Sequence, residues 1–526
     1  MRRVHHQAGI ALIVVIAVLA LGGTLLALRS FNAASQRADR YRITQDTLIK
    51  AKQGLIGRAV SDDNRPGSLP CPDLDDDGVA ELFAGNACPA YVGRLPWKTL
   101  DLPDLRDSSG ERLWYALSST LRDHSTAQPI NSDTLGALTI AGTQPANNVV
   151  AIVLSASTVL KRTGAASAQD RSCVVGVNCD ATGKCTTSPA SNTPKCNPVN
   201  YLDVVSGTDN ADADTAFVSA AQSEEFNDRL LPIVSDDIVP LVEKRVGREF
   251  AQNLRSHFDA WQSAPNVNPA GRKGFYPWAA PFNDPMSAQP GVSGTLTGQL
   301  PLSAASVVWA NAPAPTFNLG ICIGAGTTQI TCTGLVVCLV ACVSSISARV
   351  QDIATAFVDP PNGTEVTTAG LGILGATTTW TLNSAAQALD FSHGGSVLGV
   401  GLVTVTVQVP SASSWTTSPT YWPMANNWHQ VSYYALSSGY AITGTNSCVA
   451  GTDCVSIANA TSPNNNKQAV VITTGRLLAG QAARPVAPPA SIADFLEGGN
   501  QTPADLTFEH NIRSAAFNDQ PAAVRP

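Results

Sequence analysis

The pattern of hydrophobic and polar positions opens with one unbroken run. Gly9 to Leu28, GIALIVVIAVLALGGTLLAL, contains no charged residue. At about 1.5 Å of rise per residue, Ile10 to Leu28 makes roughly 28 Å of helix, close to the hydrocarbon thickness of a bilayer. The run therefore predicts a membrane-spanning helix. Arg2 and Arg3 ahead of it favour a cytoplasmic amino terminus, although Arg29 at the far end weakens the asymmetry. The rest of the chain is then expected outside the cytoplasm. A cleaved secretory signal fits less well, because its apolar core is usually about 7 to 15 residues and LALRSFNAAS offers a poor small-x-small site.

Beyond the run, periodicity continues the helix through FNAASQRADRYRITQDTLIKAKQGLIGRAVSDD, where Ile43, Leu48, Ile49, Leu55, Ile56 and Val60 form a loose apolar stripe. A second helical stretch is read from 216 to 262. In it Ile238, Val242, Val246, Phe250 and Leu254 recur every four positions, Ser235, Asp236 and Asp237 supply caps, and Pro240 falls in the first turn, where it is tolerated. From 297 to 410 the pattern alternates instead. SVVWANA, TTTWTLNS and LGVGLVTVTVQVP read as strands separated by turns, and predict an inserted β-sandwich. The aromatic cluster of Trp415, Tyr421, Trp422, Trp428, Tyr433 and Tyr434 reads as core rather than as a binding surface.

Three blocks recur in the same order. RLWYALSS, NNVVAIVLSASTVL and NYLDVVSGTDN in the first half are followed by VSYYALSS, KQAVVITTGRLL and DFLEGGN in the second. Each set is an aromatic-YALSS segment, a buried strand-like run and an acidic turn, which predicts a β-rich head built from two related halves. The loops SCVVGVNC and SCVAGTDC are also alike, but the first follows its strand run and the second precedes it, so they do not fit a simple duplication.

Composition adds two constraints. Charged residues are 14% of the chain, Gly and Pro number 41 and 34, and the formal net charge is −7. This turn-rich profile, with no basic run outside the leader, leaves no electrostatic footprint for nucleic acid. All 12 cysteines lie after residue 70 with near neighbours: Cys71 and Cys88, Cys173 and Cys179, Cys185 and Cys196, Cys322 and Cys332, Cys338 and Cys342, Cys448 and Cys454. An even count of this kind suits local disulfides in an oxidising compartment. Connectivity within the 173 to 196 and 322 to 342 groups is left open.

Asp73, Asp75 and Asp77 alternate, followed by Gly78 and Glu81. D-x-D-x-D-G opens a calcium loop, in which alternate carboxylates converge on one cation and glycine allows the sharp turn. The twelfth position is Ala84 rather than a bidentate acid, so calcium stands beside the alternative of an Asp-rich turn closed by Cys71 and Cys88. No G-x-S-x-G elbow, H-E-x-x-H or phosphate-binding loop occurs, and Asp104, Asp107 and Glu111 lie in a Pro and Gly turn. The chain is therefore not expected to be an enzyme.

The basic leader MRRVHHQA ending in Gly9, followed by a helix opening IALIVV, resembles the amino terminus of type IV pilins and type II secretion pseudopilins. The resemblance covers about the first 60 residues. It implies cleavage between Gly9 and Ile10 by a prepilin peptidase, a helix whose second half packs on a globular head, and assembly with other pilin or pseudopilin subunits through that helix. Most members carry glutamate as the fifth mature residue, where this chain has Val14. Its absence is typical of some minor subunits, notably a large pseudopilin at the filament tip.

The expected fold class is α+β: a long amino-terminal transmembrane helix followed by a β-rich, disulfide-bonded head with an inserted β-sandwich-like domain. Its parts are a leader (1–9), a transmembrane and stalk helix (10–60), the first half of the head (61–215), a helical and linker region (216–296), the inserted β domain (297–410), the second half (411–500) and a loose tail (501–526). The expected protein is a minor pilin-like or pseudopilin-like subunit, acting in filament initiation or at the tip. It would be single-pass in a bacterial inner membrane with its head in the periplasm or on the cell surface. The competing class is a signal-anchored surface adhesin or ligand-binding protein.

Overall fold

The computed structural model describes residues 7–525 except 125–127, 161–168, 213, 265–266, 268–272, 303–315, 318–319, 324–328, 362–372, 409, 419 and 485. The first helix, α1 (Gln7–Ser61), is 55 residues long. Among the described residues, however, no helix is long and apolar enough to cross a membrane. This finding corrects the expected transmembrane helix and the single-pass inner-membrane localisation. The α+β class built on that helix gives way to mixed α and β content spread over several small sheets.

The chain divides into two compact units: residues 1–61, 68–127 and 135–237, and residues 62–67, 128–134 and 238–526. In the first unit, Thr44, Thr47, Leu48, Ala51, Leu55 and Ala59 line one side of α1 and are buried. Burial of a leucine such as Leu48 or Leu55 is worth about 1.5–3 kcal/mol, enough to hold this part of the helix in place. They pack on a six-stranded sheet made of β1 (Val92–Arg94), β2 (Trp114–Leu117), β3 (Leu138–Gly142), β4 (Ala146–Ser155), β5 (Ala216–Ser219) and β6 (Arg229–Val234). The order is β1-β2-β4-β3-β5, with β6 also paired to β4. Residues of β5 and β6, read from sequence as helical, are strands because their pairing with β3 and β4 overrides local propensity. Lys52 Nζ ties α1 to β6 by donating to Pro232 O at 2.9 Å.

α2 (Ser235–Ser263) is capped at its start by Asp237, which accepts from Val234 N at 2.8 Å, and from Ile238 onward it belongs to the second unit. The strands of that unit are β7 (Thr297–Gly298), β8 (Thr316–Phe317), β9 (Gly320–Ile323), β10 (Gln329–Val350), β11 (Ile373–Asn383), β12 (Ala388–Gln408), β13 (Ser432–Leu436), β14 (Ser456–Ala458), β15 (Ala469–Thr473), β16 (Thr507–Glu509) and β17 (Gln520–Ala523). One sheet runs β17-β15-β13-β7, β14 and β16 form a parallel pair, and β8 to β12 form a separate sheet. That separate sheet replaces the expected sandwich: the Thr and Val alternation makes two very long strands, β10 and β12, paired antiparallel in one layer. SVVWANA lies outside the described residues. The carboxy-terminal stretch, read as loose, contributes β16 and β17 and buries Phe508, Phe517 and Val524.

The two units share one strand plan. Trp114 faces Leu154, Tyr115 faces Val153 and Ala116 faces Ile152, just as Tyr433 faces Ile472, Tyr434 faces Val471 and Ala435 faces Val470. The edge strand repeats the register, with Leu230 opposite Leu154 and Pro521 opposite Ile472. Gly93 and Gly298 face the two equivalent tyrosines, and the parallel pairs place Ile140 by Phe217 and Ile457 by Phe508. Even the buried hydroxyls match: Tyr115 donates to Pro70 O at 3.2 Å and Tyr434 to Pro277 O at 3.1 Å.

A fourth shared block, Phe-Asn-Asp, supplies a buried polar knot in each unit. Asp228 Oδ2 accepts from Asp203 N (2.8 Å) and Asn210 Nδ2 (3.0 Å). Asp519 Oδ2 accepts from Glu497 N (2.9 Å) and Asn500 Nδ2 (2.8 Å). The return bonds match as well, from Asn227 N to Asp203 at 2.8 Å and from Asn518 N to Glu497 at 3.1 Å. These bonds satisfy backbone groups that would otherwise be buried without partners.

Candidate functional site

The densest chemistry in the first unit lies in the loop closed by the Cys71–Cys88 disulfide. Asp73 is its hub. Its Oδ1 accepts from Asp75 N (3.1 Å) and Asp76 N (2.8 Å), and its Oδ2 accepts from Gly78 N (2.7 Å). These bonds wind the chain into a tight turn, in which Asp76 has φ 63° and Gly78 φ 86°. A Cβ at Gly78 would lie 2.6 Å from the Trp97 ring, so the turn requires glycine there. Burial raises the Asp73 carboxyl to about 7; the Gly78 N–H opposes the rise, and the neighbouring Asp76, Asp75 and Asp77 add to it. Burial likewise pushes Glu81 up, against the Leu74 N–H that it accepts.

The structure brings Asp73, Asp75 and Glu81 together, with one oxygen from each within 4.8 Å of the others. Asp77 turns instead to Lys184, whose Nζ lies 2.7 Å from both Asp77 and Asp75. That ammonium carries a raised pKa because the two carboxylates accept its hydrogen bonds. A side-chain cation therefore already sits against two of the acids expected to hold calcium, while the remaining oxygens form a set suited in kind to a hard cation.

The acid that sequence reasoning passed over is Asp76. The D-x-D-x-D pattern assigns the alternate carboxylates, yet it is the residue between them that turns inward and is 3% exposed. Asp76 meets Lys195 at 2.7 Å, Arg112 at 3.1 Å and Arg94 at 3.9 Å. Arg94 is itself buried, with its guanidinium 4.1 Å from the ring centroids of both Trp114 and Tyr201. Asp104 holds the other side of Arg112 at 2.9 Å, and Arg106 at 2.7 Å. A small polar cavity of about 100 Å³ lies among Asp76, Arg94, Glu111, Arg112 and Lys195. The signal that could have revealed this network is that both lysines on the acids, Lys184 and Lys195, directly precede cysteines.

Those cysteines bring the lysines into place. Cys173 pairs with Cys179 and Cys185 with Cys196, which resolves one group the sequence left open. Cys185 N donates to Asp75 O at 2.8 Å, tying the two disulfide loops together. Cys448 and Cys454 form a further bridge. Cys332 is disulfide-bonded and lies opposite Cys322 in the ladder, while the side chains of Cys322, Cys338 and Cys342 lie outside the described residues. Asp107 caps its turn by accepting from Ser109 N at 2.8 Å and Ser155 Oγ at 2.7 Å. Gly9 and Ile10 fall in the first turns of α1, with the Ile10 side chain outside the described residues.

No family model matches the chain, and no curated protein or solved structure matches it.

Proposed function

We propose that this chain is a minor pilin-like or pseudopilin-like subunit of a type IV pilus or type II secretion filament, acting at initiation or at the tip. Its role is assembly rather than catalysis. The observation that supports the reading most is the division of labour along α1. One face of its later turns, Thr44, Thr47, Leu48, Ala51, Leu55 and Ala59, is buried, whereas Val14, Val15, Ile16, Val18 and Leu19 are 54–69% exposed on the same unbroken helix. A contiguous exposed apolar surface marks an interaction site. Helices of neighbouring subunits are the cover that the resemblance of the amino terminus implies. Val14, which lacks the carboxylate of ordinary subunits, suits a rare position in such a filament.

Co-purification with filament subunits tests this reading. Ile16→Asp combined with Leu19→Asp should abolish recovery of the subunits without altering the melting of the head. Undiminished recovery would remove α1 as the assembly element.

A further inference from the structure

A groove of about 390 Å³ runs between α2 and the edge strand β17, entirely within the second unit. Its rim carries Lys244, Arg248 and Arg255, spaced by four and seven residues and therefore on one face of the helix. Its floor is small: Gly247, Ala251 and Ala522. No Asp or Glu lines it, and these three cations have no ion pair among the described residues. In a chain of net charge −7 this is a local concentration of unneutralised positive charge.

The first unit shows what the same place looks like when it is filled. Thr44, Thr47, Leu48, Ala51 and Leu55 are buried on α1 with the spacing of Gly247, Phe250, Ala251, Leu254 and Phe258 on α2. The two helices also dock through equivalent contacts. Lys52 donates to Pro232 O, and Arg255 donates to Ala523 O at 3.1 Å, the same position in the register of its strand. Where the second unit has Gly247 and Ala251, the first has Thr44 and Leu48. Where the second has Gln520, the first has Arg229, whose guanidinium lies 4.5 Å from the ring centroid of Tyr41. Lys244 stands at the position of Tyr41. Both walls have thus lost bulk in the second unit and the rim has gained charge.

We propose that this groove is a docking site for an acidic, extended peptide segment of a partner protein. The small floor admits a backbone with short side chains, and the cationic row receives carboxylates along its length. Pro521 lacks an N–H on the edge strand, so charge pairing, rather than a continuous backbone ladder, drives the contact. The site is independent of α1 and of how the subunit is assembled.

Fluorescence anisotropy of the full chain with a fluorescein-labelled peptide of alternating Glu and Val tests the proposal. Binding should weaken with salt and fall about tenfold or more when Lys244→Glu and Arg248→Glu are combined. Ala522→Leu, which fills the floor without changing charge, should weaken binding by a similar factor while the melting temperature holds. Equal affinity of the charge-reversed and native chains would overturn the proposal. So would absence of binding at low salt. Binding to phosphatidylglycerol vesicles or to an oligonucleotide, but not to the peptide, would assign the groove to another anion and equally overturn it.

Discussion

At one equivalent position the two units fill a common backbone frame with opposite chemistry. In the first, Asp73 bridges Arg94, and Arg94 lies between Trp114 and Tyr201. In the second, the same bridge joins Ala280 to Gln299, and the aromatic positions are Tyr433 and Phe495. Phe282 completes that cluster, 5.5 Å from Tyr433 and 4.9 Å from Phe495 between ring centroids. The strand plan therefore does not require charge here. The ion network of the first unit belongs to its acidic loop and to the two lysines that the disulfide loops deliver. The polar knot around Asp228 and Asp519, by contrast, is kept in both units and serves the fold itself.

The largest effect should come from removing the centre of the charged network. Asp76→Ala leaves Arg94, Arg112 and Lys195 without their shared counter-charge and should cost about 3–5 kcal/mol in urea unfolding. In the second unit Ala280→Asp, at the position equivalent to Asp73, buries a carboxyl with no cation to meet it and should destabilise that unit by about 3 kcal/mol. If both substitutions are silent, the two interiors are equally polar in solution and the contrast is lost.

A somewhat smaller effect is expected from pH. Asp73 has its carboxyl raised from an ordinary 3.8 to about 7, so between these values the folded state holds a proton that the unfolded chain releases. Stability contributed here should fall as pH rises through that window, by on the order of 4 kcal/mol at most. His257 in the second unit does the reverse. Burial beside Trp261, Phe275 and Phe357 lowers it from 6.5 to about 4, so the unfolded chain takes up the proton first and stability falls as pH drops through that range. Unfolding measured between about pH 4 and pH 7 should show Asp73→Asn removing the loss of stability with rising pH and His257→Phe removing the loss with falling pH. A wild-type pH profile unchanged by either substitution would contradict these assignments.

The smallest effect concerns metal. With the Lys184 ammonium already against Asp75 and Asp77, added calcium should leave the native melting temperature within error. Lys184→Ala should make it rise with calcium, by about 1 kcal/mol of linked stability at moderate excess. A native chain that responds strongly would show the acids reorganising around the ion.

Much of this plan was legible in the chain, and the gaps have physical causes. The YALSS and VVAIVL blocks stand out because residues buried on both faces of a strand leave a continuous apolar run. Phe226-Asn227-Asp228 and Phe517-Asn518-Asp519 escaped notice because the flanking strands, RLLPIV and QPAA, share little composition. Residues 297 to 410 read as a sandwich because alternation fixes strand identity but not whether strands pair in one layer or two. The acidic loop read as D-x-D-x-D because spacing shows which side chains can converge. A left-handed residue at Asp76, which sends that carboxylate inward, leaves no mark in such a pattern.

The two helices carry the remaining contrast. Each buries an equivalently spaced face on its own sheet, but α2 starts at Ser235, directly after β6, while α1 extends back to Gln7 with apolar residues exposed. That extension is the part the second unit lacks, and the proposed assembly role rests on it. The mass of the mature amino terminus in cells expressing a prepilin peptidase tests it most directly. The pilin-like reading predicts a chain beginning at Ile10. A chain that still begins at Met1 would contradict it.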